Sequence, residues 1–203
     1  MGDIKIYDIE PAIKKWDIKN FVETGTLRGD AIEYARQYPL ERYISFEIMP
    51  SLAEKAAERF LEDERVEIVL GDSAEILGDK LKGLDGNTLF WLDAHFPGAD
   101  AALRMYGDEK DPDKNLPLEK EIEAIAERAG KYQDVIIIDD LWIYEDGDYE
   151  WGTFDSHMER HGHSIRREDL KCGDASFIRE AFKNTHNIKT VNKFQGSLVI
   201  TPK

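Results

Sequence analysis

Phe21-Val-Glu-Thr-Gly-Thr-Leu-Arg-Gly-Asp30 is the stretch that decides the fold of this chain. It begins like a buried strand, breaks at a carboxylate followed by small and hydroxylated residues, and continues into a helical pattern over 30–36. Gly25 and Gly29 permit a sharp turn and a close approach of the backbone to a ligand. The stretch therefore predicts a strand, a glycine-bearing loop and a helix, in that order.

The same order of strand and helix recurs along the chain. Strands are predicted at 21–23, 42–47, 66–72, 87–93 and 134–139, and helices after the first four at 30–38, 51–61, 74–81 and 118–129. This alternation predicts a doubly wound α/β fold with a mostly parallel sheet. Two more runs, 188–191 and 197–200, are interpreted as an antiparallel C-terminal pair, so the predicted sheet is seven-stranded.

Three helix starts carry sequence patterns that predict caps. Asp30 with Glu33, and Ser51 with Glu54, have the spacing of a capping box. Ser73 is predicted to cap the helix that follows the third strand.

Two segments fall outside the alternation. Residues 97–117 are polar and long for a connection within one domain, so they predict a mobile lid or a disordered excursion. Residues 141–172 are rich in aromatic, acidic and histidine residues, and they form either a pocket wall or an extra packing layer. The cluster of His157, His161 and His163 is interpreted as a polar helix end rather than a metal site. The whole chain, 1–203, is expected to be one domain.

Charge and composition exclude several classes of partner. The 203 residues carry 42 acidic and 27 basic side chains, and the formal charge of −15 disfavours nucleic acid and anionic membranes. The single cysteine, Cys172, cannot build a disulfide framework within one chain and fits a reducing compartment. No run approaches the roughly 18 apolar residues that span a bilayer. We therefore expect a soluble cytoplasmic protein, and a homo-oligomer is compatible with this composition.

A carboxylate stands at the end of every predicted parallel strand. The residues at those five ends are Glu23, Glu47, Asp72, Asp93 with His95, and Asp139 with Asp140. Ligands of open parallel sheets bind beyond the carboxyl ends of the strands. Helix capping or a solvated turn explains any one of these acids, but a shared ligand site explains all five.

Glu23-Thr-Gly-Thr-Leu-Arg-Gly29 fits an E-x-G-x-x-x-G loop and resembles class I S-adenosylmethionine-dependent methyltransferases, a resemblance that covers the whole chain. It implies a Rossmann-like methyltransferase fold and S-adenosylmethionine as the cofactor. The cofactor-binding residues that it implies are Glu23 near the methionine moiety, Gly25, Thr26 and Gly29 in the loop, Glu47 at the ribose hydroxyls, Asp72 with Ser73 at the adenine, and Asp93. Leu27 stands where the glycine-richest members have glycine.

A dinucleotide-binding Rossmann enzyme is an alternative, because it shares an acid after the second strand. Its G-x-G-x-x-G fingerprint is absent, since Thr26 and Leu27 follow Gly25. Tyr106 and Lys110 match a Tyr-x-x-x-Lys pair, but the acidic, proline-containing surroundings disfavour a catalytic helix, so we interpret the match as chance.

The fourth and fifth strands predict a metal site. Their tips are adjacent in the resembled fold, so Asp93, Asp139 and Asp140 would converge and repel one another. Mg²⁺ or Mn²⁺ held by these three carboxylates would remove the repulsion. The arrangement is similar to that of metal-dependent catechol and macrolide sugar O-methyltransferases. An ion pair with arginine and a helix cap are the structural alternative.

His95 is predicted to be the general base, with Asp93 as the second catalytic residue. A neutral imidazole would take the proton of a hydroxyl whose pKa the metal lowers. The catechol enzymes use a lysine where Phe96 stands here, so this assignment rests on chemistry alone. The sequence predicts an O-methyltransferase acting on a small-molecule hydroxyl, and a non-catalytic cofactor-binding or regulatory module is the alternative.

Overall fold

The computed structural model describes residues 3–170, 172 and 174–203, which fold around one sheet. Its strands are β1 (Ile18–Thr24), β2 (Arg42–Glu47), β3 (Val66–Leu70), β4 (Asn87–Leu92), β5 (Val135–Ile138), β6 (His186–Val191) and β7 (Ser197–Pro202). Their order is β3-β2-β1-β4-β5-β7-β6. The first five are parallel, and β7 pairs antiparallel with β5 and β6. The predicted doubly wound, mostly parallel sheet with an antiparallel C-terminal pair is confirmed.

Helices cover both faces of this sheet. They are α1 (Glu10–Lys15), α2 (Asp30–Ala35), α3 (Pro50–Arg59), α4 (Ser73–Lys82), α5 (Pro112–Asn115), α6 (Leu118–Ala126), α7 (Phe154–Arg160) and α8 (Ser176–Phe182). Successive strand residues alternate between two buried cores. Phe90 and Leu92 of β4 pack with α4, α6 and α8, whereas Leu89 and Trp91 pack with α2. Within the described part of the chain, no helix has the length and apolar character that a membrane crossing requires.

The caps of three helices differ from their predictions. Gly29, with φ of 76°, is the N-cap of α2, and Met49 is the N-cap of α3, neither with a side-chain hydrogen bond. Both predicted capping boxes are therefore wrong. The left-handed glycine and the proline at the start of α3 shape these turns instead, while Arg59 pairs with Asp30. In α4 the cap is Asp72 rather than Ser73.

Arg128 ties together the edge of the sheet where β4 and β5 begin. Its side chain is buried and forms an ion pair with Asp134, at 2.9 Å from Nε to Oδ2. The same guanidinium donates to the carbonyl oxygens of Leu84 at 2.7 Å and Gly86 at 2.9 Å. Asp134 also accepts from the backbone N–H of Thr88 in β4. The buried guanidinium of Arg128 thus donates hydrogen bonds both to the loop before β4 and to Asp134, next to the start of β5.

The two segments outside the alternation are folded onto the sheet. The backbone N–H of Phe96 donates to the carbonyl of Asn115 at 2.9 Å, which closes the base of segment 97–117. Segment 141–172 contains 3₁₀ turns at Leu141–Ile143 and Arg167–Asp169 as well as α7. Residue 171 of this predicted segment lies outside the described residues.

Candidate functional site

A cleft with roughly 650 Å³ of open space lies beyond the carboxyl ends of the parallel strands. Strand order reverses between β1 and β4, the place where open α/β sheets bind ligands. Of the predicted site residues, those that line the cleft are Gly25, Glu47, Asp72, Ser73, Asp93 and His95. A smaller adjoining hollow shares Gly25 and Asp93 with the cleft and is also lined by Glu23 and Thr26.

The two glycines of the β1 loop serve different purposes. Gly25 has φ of +85°, and a Cβ there would lie 2.8 Å from the carbonyl oxygen of Asp93. The loop can therefore pass directly against the end of β4, at the cleft. At Gly29 a Cβ would lie 2.5 Å from the ring of Phe60, beside α3. Gly29 thus permits helix packing and lines neither the cleft nor the hollow.

Glu47 is buried at the end of β2 and is held in place by backbone donors. Its Oε2 accepts from the N–H of Leu27 at 2.9 Å, and its Oε1 accepts from the N–H of Met49 at 2.8 Å. Burial raises the pKa of Glu47, while these N–H groups act against the rise. A carboxylate has about four acceptor positions, so lone pairs remain for ligand hydroxyls. The backbone contacts orient the carboxylate before any ligand binds.

Glu23 lies at the end of β1 in a short chain of hydroxyl groups. Ser45 donates to Glu23 Oε2 at 2.6 Å, and the hydroxyl oxygens of Ser45 and Thr26 are also 2.6 Å apart. Burial, with the nearby Asp93 and Glu47 carboxylates, raises the pKa of Glu23 well above its ordinary value. A ligand ammonium beside Glu23 would favour its charged form.

Asp72 and Ser73 connect the cleft to a buried acid that the sequence analysis missed. Asp72 caps α4 by accepting from the N–H of Ala74 at 3.0 Å. The Ser73 hydroxyl donates to Glu121 Oε1 at 2.5 Å, and burial raises the pKa of Glu121 to about 7. The sequence does carry a sign of Glu121, because this acid stands on the apolar stripe of α6 beside Leu118 and Ile122, where a polar side chain is unexpected.

Glu121→Gln should make the protein less sensitive to rising pH. The folded state holds the Glu121 proton up to about pH 7, whereas an unfolded glutamate releases it near pH 4.5. Stability from this group is therefore greatest below about pH 4.5 and is lost as the pH rises to about 7. Above pH 7 the variant should be the more stable protein, by at most about 3 kcal/mol.

Urea denaturation of both proteins at pH 5 and pH 8 measures this difference. Glu123→Gln, an exposed position on the same helix, is the control and should show no such gain. An equal dependence of unfolding free energy on pH in wild type and Glu121→Gln would contradict the prediction.

Three donor side chains converge where β4 and β5 end. His95 Nε2 lies 2.7 Å from Asp140 Oδ2 and 3.6 Å from Asp93 Oδ1. One donor atom from each residue fits within a set whose members all lie within 4.8 Å of one another. Burial raises the pKa of Asp93 to about 6, although His95 acts against the rise. The three side chains form a compact set of one imidazole and two carboxylates.

His95 and Asp140 form a charged pair within this set. Burial disfavours the imidazolium, but the Asp140 and Asp93 carboxylates outweigh burial and raise the pKa of His95 well above its ordinary value. For Asp140, burial is outweighed by His95, and its pKa is lowered. The imidazolium of His95 thus balances the buried negative charge of Asp140.

Asp139, predicted as a metal ligand, lies outside the group of three donors. Its Oδ2 accepts from Gln195 Nε2 at 3.4 Å. Burial, with the Asp140 and Asp93 carboxylates, raises the pKa of Asp139 well above its ordinary value. Asp139 therefore lies beside the group of three donors, where its neutral form is favoured, and its role as a metal ligand stays a prediction.

Segment 97–117 forms one wall of the cleft, which sequence reasoning did not predict residue by residue. The residues that it contributes are Pro97, Gly98, Asp100, Ala101, Lys114 and Pro117. Tyr106 holds the segment together, since its hydroxyl donates to Asp100 at 2.6 Å and its ring packs edge-on against Phe96. The segment thus has the position that a lid requires, and its mobility stays a prediction.

Comparison with known proteins is informative at the level of structure. No protein-family model and no curated protein matches the chain. SAH-bound methyltransferase PaMTH1 from Podospora anserina has a TM-score of 0.58 at 15% identity, covering 96% of this chain and 76% of that chain. An O-methyltransferase from Bacillus cereus in complex with SAH has a TM-score of 0.56 at 13% identity, with coverages of 100% and 82%.

TomG from Streptomyces achromogenes, an O-methyltransferase involved in tomaymycin synthesis, was solved in complex with SAM. It has a TM-score of 0.52 at 14% identity, with coverages of 95% of this chain and 77% of that chain. These structures share the seven-stranded architecture described above across nearly the whole of this chain. The chain therefore has the Rossmann-like fold of class I S-adenosylmethionine-dependent methyltransferases.

Proposed function

We propose that this protein is an S-adenosylmethionine-dependent O-methyltransferase that acts on a small-molecule hydroxyl with the help of a divalent cation. The observation that carries the proposal is that Asp93 and His95 line the same cleft as Glu47 and Asp72. Residues suited to the cofactor and residues suited to a cation therefore meet in one space. The formal charge of −15 argues against a nucleic-acid acceptor.

The cofactor side of the cleft is formed by oriented carboxylates. Glu47 would accept hydrogen bonds from the ribose hydroxyls, and Asp72 would accept one from the adenine amine. Glu23 would lie near the methionine ammonium. Bound S-adenosylmethionine supplies an activated methyl group. The contribution of the chain is to hold that group and the acceptor in line, because positioning can supply much of the rate of such a transfer.

Asp93 and Asp140 would hold the cation. The fit is supported by Asp93 Oδ1, a buried atom with no hydrogen-bond partner among the described residues. A divalent cation supplies positive charge that favours ionisation of the acceptor hydroxyl. The two carboxylates come from adjacent strands, whose last paired residues are Leu92 and Ile138, so the sheet itself sets their separation.

His95, the predicted base, already has a partner in this arrangement. Its Nε2 lies against Asp140 in a pair that favours the charged imidazolium, so Nε2 would have to lose its proton and this contact before it could act as a base. Its Nδ1 is buried and has no hydrogen-bond partner among the described residues. The role of His95 as a general base therefore stays a prediction.

Calorimetry and a transfer assay test the proposed function. We expect S-adenosylmethionine to bind without added metal, and Glu47→Ala to weaken binding by about 1.5–3 kcal/mol. Glu54→Ala, on the exposed side of α3, is the control. Transfer to a panel of catechols and vicinal diols should stop in excess chelator and return with Mg²⁺ or Mn²⁺. Failure to bind S-adenosylmethionine would overturn the proposal, and full turnover in chelator would overturn its metal-dependent part.

A further inference from the structure

We propose that His95 is a ligand of the cation, through Nε2, and that the site therefore selects a first-row transition ion such as Mn²⁺ or Co²⁺ over Mg²⁺. This inference rests on the proposed function, because it concerns the same cation. It differs from the sequence prediction in its donor set. One imidazole and two carboxylates replace three carboxylates.

Asp93, His95 and Asp140 have the geometry of a ligand set. Metal ligands must present one donor atom each to a common point, and the donor atoms of Asp93, His95 and Asp140 all lie within 4.8 Å of one another. His95 Nε2 is the atom of the ring that faces both carboxylates, at 2.7 and 3.6 Å. Asp139 does not belong to this group. The side chains already point their ligating atoms at one another.

Asp93 and Asp140 have no basic partner other than His95 among the described residues. All three side chains are largely buried, with exposures of 15% for Asp93, 10% for His95 and 7% for Asp140. Two buried carboxylates beside a single imidazole leave negative charge that a divalent cation would balance.

The mixture of nitrogen and oxygen donors bears on which cation the site selects. Mg²⁺ is bound through oxygen and usually keeps several waters, whereas imidazole nitrogen suits transition ions. A site with one nitrogen and two carboxylate donors therefore favours Mn²⁺, Fe²⁺ or Co²⁺ over Mg²⁺. Binding of the cation displaces the proton of His95 Nε2 to solvent, since only the neutral ring can donate a lone pair to a metal. A nitrogen bonded to the metal cannot also take the hydroxyl proton, so this role replaces Nε2 as the base.

The second ring nitrogen of His95 is also suitably placed. Histidines that bind metals usually donate their other N–H to a carboxylate, carbonyl or water. His95 lines a small cavity of about 10 Å³ that is also lined by Glu121 and Asp139, which is room for about one water. His95 Nδ1 and Glu121 Oε2 are both buried without a hydrogen-bond partner among the described residues. A water in this cavity would give Nδ1–H an acceptor.

Pulsed electron paramagnetic resonance of the Mn²⁺-loaded protein tests the ligand directly. With S-adenosylhomocysteine present, we expect electron spin echo modulation from a directly bound nitrogen. Protein labelled with ¹⁵N only at histidine should change that modulation from the ¹⁴N to the ¹⁵N pattern, without any change of residue. His95→Gln should abolish it, and His157→Gln, at a partly buried histidine outside the donor group, should retain it.

Calorimetry with MnCl₂ and MgCl₂ tests the selectivity. We expect the wild type to bind Mn²⁺ at least about tenfold more tightly than Mg²⁺, and His95→Gln to lose most of that preference. Bound Mn²⁺ without histidine modulation would overturn this inference and leave the proposed function intact. Absence of any bound cation, with S-adenosylmethionine still bound, would overturn both this inference and the metal-dependent part of the proposed function.

Discussion

Asp140→Asn is expected to lower the rate of methyl transfer by about 10³-fold, because it removes a charged donor from the cation site. Loss of metal assistance is typically worth several kcal/mol of transition-state stabilisation, and each 1.36 kcal/mol is tenfold in rate. The fold should survive. Asp140 has φ of 52°, and asparagine tolerates that left-handed conformation as well as aspartate does. Affinity for S-adenosylmethionine should stay within about twofold of wild type, since Asp140 does not line the cleft.

Asp139→Asn is the matched control, one residue away. Burial and its acidic neighbours raise the pKa of Asp139 and so favour its neutral form, which asparagine resembles, and asparagine can still accept from Gln195. We expect a rate within about threefold of wild type at saturating Mn²⁺. Equal damage from the two variants, in rate and in Mn²⁺ affinity, would show that Asp139 is a ligand, as the sequence analysis predicted.

Gly25→Ala is expected to weaken S-adenosylmethionine binding by at least about 100-fold. A left-handed φ costs an alanine about 1–2 kcal/mol. The added Cβ would also lie 2.8 Å from the carbonyl oxygen of Asp93 and 3.1 Å from the Cα of Ala94, both of them backbone atoms. The β1 loop must therefore move away from the end of β4, and Leu27, which holds Glu47, moves with it.

Gly130→Ala separates the cost of backbone strain from the cost of the steric clash at Gly25. Gly130 has φ of +93°, but a Cβ there would meet no atom within 4 Å. This variant should lose a similar amount of stability from backbone strain and keep wild-type affinity for the cofactor. Calorimetry at a temperature where circular dichroism shows both variants folded makes the comparison. Wild-type affinity in Gly25→Ala would show that the loop does not approach the cofactor.

The sheet was predictable because its signals are local. Five apolar runs, each ending in a carboxylate, recur with helical segments between them, and parallel strands then bring those ends to one edge. Glu47 and Asp72 could be located in this way, since Glu47 is the last residue of β2 and Asp72 lies two residues after the end of β3. The capping predictions failed because Gly29 and Pro50 also favour helix starts and left no need for a side-chain cap.

The donor set could not be predicted because it depends on where side chains turn after the strands end. Asp139 and Asp140 are neighbours in sequence, yet only Asp140 turns towards His95, at a left-handed backbone position. Phe96 also has a left-handed φ, of 41°, directly after His95. Glu121 reaches the site from a helix that is distant in sequence from Ser73. Contacts of this kind arise from packing, which spacing alone does not record.

The ion pair of Arg128 with Asp134 has a consequence for how such a protein can diverge. It joins the sheet where β4 and β5 begin, whereas the proposed metal and cofactor residues lie where the strands end. The wall formed by 97–117 is joined at its base by the backbone contact between Phe96 and Asn115. That wall can therefore change in length or composition while Arg128 keeps its partners. Substitutions in that wall would thus reshape one side of the cleft and leave the buried ion pair at the strand starts intact.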